Sequence, residues 1–191
     1  MALAAALLAA ACDPGGPPWP DGARVDREPI QGRPRGPSFS VEDFRLTPVA
    51  TFDVEARVLG RERYRGGVEA KLSPWDLFLG WGEMSEERIV GSMEFVQMNR
   101  WGSWRSDAPD LPSVPTLLNQ SSNVHVIPAN DTIRELLAEI RTGDRVRVVG
   151  QLVDVERDDG WRWRTSRTRT DRGSGACELV FVTRVERLPV E

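Results

Sequence analysis

Cysteine, histidine, lysine and tyrosine are nearly missing from this chain: two Cys, one His, one Tyr and a single lysine, Lys71, stand among 191 residues. Each shortage removes a class of explanation. The cysteines are Cys12 and Cys177, so modification of either leaves no intramolecular disulfide to form. A lone histidine, His125, and one remaining thiol do not make a structural zinc site, which wants several Cys or His at close spacing; no metal and no cofactor is expected. There is no Gly-rich phosphate loop, no Gly-x-Ser-x-Gly, no His-Glu-x-x-His and no Cys-x-x-Cys, so the enzyme classes built on those motifs lose their support. The long apolar run of a membrane span is also absent, since residues 1–11 are far short of the roughly 20 residues a bilayer requires. Nor is there a basic excess: the net charge of −4 gives no overall pull toward nucleic acid.

The short apolar run has another use. Residues 1–11, MALAAALLAAA, end in small side chains directly before Cys12, as the hydrophobic region of a signal peptide does. The stretch from Leu8 to Cys12 resembles the lipobox of bacterial lipoproteins, in which the cysteine is acylated and becomes the new N-terminus. Two departures stand against it: Ala9 occupies the usual leucine position, and no Lys or Arg precedes the run. Residues 12–40 are rich in Pro, Gly and charge without apolar periodicity, and are expected to form a disordered tether behind the lipidated Cys12. Asp13 resembles the signal that retains some lipoproteins in the inner membrane. The expected setting is therefore a bacterial envelope, with the chain held by lipid and facing the periplasm or the exterior.

Residues 41–191 are expected to form one globular domain. Residues 51–60 alternate Phe52, Val54, Ala56 and Val58 with Asp53, Glu55 and Arg57, the period of a half-buried strand. Residues 72–84 carry Ser73 and Pro74 at the start and Gly80 and Gly82 at the end, which suggests a short helical turn; residues 85–93 suggest another. Residues 93–105 and 123–127 read as strands. Residues 131–141 are the best helix, with Ile133, Leu136, Leu137 and Ile140 on one side and Asn130 or Asp131 as cap. Residues 144–157 form a valine-rich strand whose apolar parity changes at Gly150, as at a bulge. Residues 161–168 pair back as a hairpin, and residues 177–188 close the domain. The predicted class is mainly β with one or two helices, α+β. The order β-β-β-α-β-β with an added hairpin resembles the OB-fold, a small five-stranded barrel.

Three chemistries compete on this scaffold. Arg162, Arg164, Arg167 and Arg169, flanked by Arg157 and Arg172 and interleaved with Trp161 and Trp163, form a ribbon suited to phosphates, anionic polymers or an envelope protein. The same ribbon reads equally as tryptophans packed inward and arginines paired across the sheet. Cys177 with His125 would make a nucleophile and base for an envelope hydrolase or transferase if they met in space; otherwise both are ordinary core residues. A nucleic-acid binder is the third possibility and is opposed by the export signal. Residues 75–84 and Asn99 to Trp101 are aromatic enough to line a pocket, or simply to fill a core.

Five segments carry a wider likeness: Ala56 to Gly60, Ser73 through Gly82, His125 to Ala129, Trp161 to Trp163, and Gly175 to Leu179. On these the chain resembles a family of uncharacterised bacterial envelope proteins. That resemblance implies no catalytic residues.

Overall fold

Residues 19–40 are held to the domain although their Pro/Gly content predicts a tether. In the computed structural model, which describes residues 19–168 and 176–190, two short strands, β1 (Ile30–Gly32) and β2 (Phe39–Val41), both pair antiparallel with β3 (Phe44–Arg63). Ahead of them Trp19 is 5% exposed and Val25 1%. The Trp19 indole N–H donates to the Gly143 carbonyl at 2.6 Å, and its ring lies 4.8 Å from the Arg57 guanidinium. The expectation of a disordered tether through residue 40 is therefore corrected from Trp19 onward. A few large side chains at wide spacing bind the segment to the domain, and a periodicity argument does not weigh them. The signal segment, Cys12 and Asp13 lie outside the described residues.

β3 leads through a short helix, α1 (Val68–Leu72), into β4 (Trp75–Gly80), all six of whose residues are buried. The expected helical turn is thus a strand. A strand covered on both faces loses its alternation and shows a continuous apolar run, which periodicity cannot separate from a buried helix. A 3-10 turn (Glu83–Ser85) and α2 (Glu87–Val90) follow. The single strand expected over residues 93–105 is instead a hairpin of β5 (Glu94–Met98) and β6 (Trp101–Arg105). Helix α3 (Val114–Asn119), which the proline-bearing sequence disguised as loop, is capped by the Ser113 side chain accepting from the Thr116 N–H.

The remaining elements are β7 (Ser121–Pro128), α4 (Asp131–Glu139), β8 (Arg145–Glu156), β9 (Arg162–Trp163) and β10 (Glu178–Leu188). Asn130 caps α4 as its sequence predicts, the side-chain oxygen accepting from the Ile133 N–H at 2.9 Å. Leu136, expected on the buried side, is 42% exposed. The hairpin expected over residues 161–168 shortens to the two residues of β9.

The described residues are mainly β with four short helices, consistent with an α+β class. β3 pairs antiparallel with β4, and β4 with β7. β7 runs parallel to β10, β10 antiparallel to β8, and β8 antiparallel to β3. The inward residues of these strands form the main core, with Val54, Leu77, Val126, Val148 and Val180 among them. Two satellite clusters cover other faces, one around Phe44, Leu46, Val153 and Val155, the other around Phe78, Met84, Ile89 and Leu117. They explain the parity change at Gly150. Val146, Val148 and Leu152 face the main core while Val153 and Val155 face a satellite, so both sides of β8 become apolar. Gly150 itself is held by close approach, because a Cβ there would meet the Phe181 carbonyl. The register shift lies on β10, between Val182 and Arg184.

Candidate functional site

The β5–β6 hairpin lies against the face of β4 and β7 that points away from the main core. Its turn is two residues long, and both have positive φ: Asn99 at 52° and Arg100 at 69°. That is the backbone of a type I′ turn, where the second position usually goes to glycine. Arg100 is held there by its side chain. Its Nη1 donates to Asp76 Oδ1 at 2.8 Å, its Cζ sits 3.8 Å from the Tyr64 ring centroid, and its backbone N–H donates to the Tyr64 hydroxyl at 2.9 Å. Asp76, on β4, is fully buried. Asn123 on β7 completes the arrangement by donating to Asp76 Oδ2 at 3.2 Å and to the Arg100 carbonyl at 3.1 Å, while Gln97 donates to its Oδ1 at 2.8 Å. Close packing tightens the same contact, since a Cβ at Gly102 would lie 3.0 Å from Asn123 Cβ.

His125 and Cys177 border this cluster without pairing. His125 Nδ1 lies 2.9 Å from Asp76 Oδ1 without hydrogen-bond alignment, and its ring packs 4.8 Å from Trp163. In the parallel β7–β10 ladder His125 stands opposite Leu179, two positions beyond Cys177. The Cys177 thiol instead donates to the Arg100 carbonyl at 3.7 Å. Burial first, and the neighbouring Glu178 charge second, push the Cys177 thiol up to about 12. A nucleophilic cysteine needs the opposite shift.

The arginine ribbon is largely committed to its own fold. Arg164 and Arg167 both reach Asp154 Oδ2 at 2.9 Å, and Arg157 reaches Asp43 at 2.9 Å. Trp161 and Trp163 are half-buried against each other and against Phe44 and His125. Arg162 is exposed and has no partner among the described residues. Arg169 and Arg172 lie outside them.

An open cavity of about 410 Å³ adjoins the hairpin. One wall is β6, with Trp101, Gly102, Ser103 and Trp104; another is α3, with Val114 and Leu118. The floor is Phe78, Ser122, Asn123, Cys177 and Glu178. Glu178 is 3% exposed and accepts a hydrogen bond from the Ser122 hydroxyl. Around the mouth the surface stays apolar: Trp101, Val114 and Leu118 are among the exposed large hydrophobic residues, as are Val96 and Met98 beside Trp101 on the outer face of the hairpin. Five such residues in one place exceed the scatter of a resting surface. Of this site the sequence marked residues 75–84, which supply Phe78, and Asn99 to Trp101 as aromatic enough for a pocket, and singled out Cys177 for a different role. It carried no local sign of Val114, Leu118 or Glu178, which arrive from distant elements.

Among the described residues no three His, Cys, Asp or Glu side chains gather as a metal site, and no helix is long and apolar enough to cross a membrane. Fold and site together define a mainly β protein with a groove walled by a strand edge and a helix. Comparison of the chain with protein-family models finds no match, and comparisons with curated proteins and with solved structures find none.

Proposed function

We propose that this chain is a lipid-anchored extracytoplasmic binding or accessory module, of the uncharacterised bacterial envelope type it resembles, that holds a partner in the groove between β6 and α3. The observation that carries the reading is the groove itself: an open volume with an exposed apolar rim and, on its floor, a thiol too weakly acidic for nucleophilic work. The body of the module is an OB-type barrel. Support comes from the cycle of pairings that leaves β3 through β4, β7, β10 and β8 and returns to β3, and from α4 between its third and fourth strands.

Lipid on Cys12 would fix the module at the inner membrane, which Asp13 favours. Trp19, the first described residue, lies seven positions after Cys12, so even a fully extended chain between them would reach about 25 Å at most. Partners are then envelope proteins or polymers. The arginine ribbon is a weaker contact surface for an anionic polymer or a nucleic acid, because Asp154 already holds two of its guanidiniums and the tryptophans pack inward.

A photo-crosslinking amino acid placed at Val114, on the rim, or at Ile30, an exposed apolar position away from it, tests the reading in the native host. A discrete adduct from position 114 alone is expected. Equal adducts from both positions, or none from 114, would overturn the binding site. Mass spectrometry of the same material should find acylated Cys12 at the N-terminus; an intact initiator methionine would overturn the anchor.

A further inference from the structure

The groove has an open strand edge as one of its walls. Four consecutive residues, 101–104, line it, although Trp101 and Ser103 project from one face of β6 and Gly102 and Trp104 from the other. Only the edge of a strand presents residues of both parities to one space. The hairpin register decides which main-chain groups point there. Met98 and Trp101 flank the two-residue turn and exchange hydrogen bonds, as do Val96 and Ser103. The N–H and C=O groups of Gly102 and Trp104 therefore point away from β5, into the groove, and no partner for them occurs among the described residues.

We infer that the occupant of the groove is an extended peptide segment that adds to β6 as a third strand. This rests on the binding-module reading and names its ligand class. Unpaired strand edges are templates for exactly one kind of partner chemistry, alternating main-chain donors and acceptors at strand spacing. The side walls fit such a segment. One row of its side chains meets Trp101, Val114 and Leu118 and is apolar; the other meets the floor. Among the described residues Glu178 is the only charged one lining the space, so the segment carries no acidic side chain beside it.

A display library of random nonapeptides, selected against the full chain, tests the inference without altering the protein. Selected peptides are expected to carry apolar residues at alternate positions. Each is then resynthesised in two forms, with N-methyl groups on the odd or on the even amides. A strand bonded through one edge should lose at least tenfold in affinity in one form and stay within about threefold in the other. The Gly102 and Trp104 amides should gain protection from hydrogen exchange. Equal affinity of both methylated forms would overturn strand addition while leaving the crosslink from position 114, and with it the binding reading, intact. Absence of any selected binder would overturn the inference as well.

Discussion

Arg100 occupies a backbone position that side chains avoid. A left-handed conformation costs a non-glycine residue about 1 kcal/mol or more, with Asn affected less than most. At Asn99 nothing but the turn is at stake. At Arg100 the side chain reaches a fully buried carboxylate, and removing one partner of a buried pair costs about 3 kcal/mol. The two neighbours should therefore respond oppositely to the same change. Asn99→Gly is expected to be neutral or stabilising by about 0.5 kcal/mol. Arg100→Gly should lose about 2 kcal/mol, the broken pair outweighing the relieved backbone. Urea denaturation midpoints at unchanged slope measure both; equal effects would show that Asp76 does not hold the turn.

At the scale of elements, the segment from Trp19 to β1 is attached at a few points rather than along a ladder. Trp19 bonds Gly143, the Val25 N–H donates to Ser85 Oγ at 2.8 Å, and the Gly82 N–H donates to the Val25 carbonyl at 2.7 Å. Arg57 is drawn into the same contact, over Trp19 and onto Glu87 at 2.6 Å. Burial holds the Arg57 guanidinium below its ordinary range, with the Glu87 hydrogen bond opposing that shift. Trp19→Ala removes the largest side chain of the segment and is expected to cost about 3 kcal/mol. Limited proteolysis should then cut within residues 19–40 before the rest of the domain. Unchanged cleavage would mean that β1 and β2 alone retain the segment.

At the scale of the whole molecule, Asp53 is a charge device with a clear sign. On the outer side of the β3–β8 pair, Asp53 accepts from Arg147 at 2.8 and 3.0 Å and from Arg27 at 3.2 Å. The Arg147 hydrogen bonds first, and then the charges of both arginines, hold its carboxyl below the ordinary 3.8 despite some burial. The folded carboxylate thus binds a proton more weakly than the unfolded one. Its stabilisation is present above pH 3.8 and is lost as pH falls through the lower folded value. Asp53→Asn should flatten the acid limb of the stability–pH curve below about pH 4. Superimposable acid limbs would show that the Arg147 and Arg27 contacts add nothing to folding.

The strands β3, β7, β8 and β10 and the position of α4 were legible along the chain, because alternation on β3 and the Asn130 cap are local properties that neighbouring residues express by themselves. The nature of β4 was not, since burial on both faces erases the period that distinguishes a strand from a helix. Neither was the docking of residues 19–40, which depends on where Gly143 and Ser85 are delivered by the rest of the fold. The groove lies furthest from sequence reasoning. Its walls come from residues 101–118 and its floor from β4, β7 and the start of β10, so its shape exists only once non-local pairing has brought those segments together. Local pattern determined most of the elements; non-local strand pairing decided which side chains face one another and which edge of β6 has no partner among the described residues.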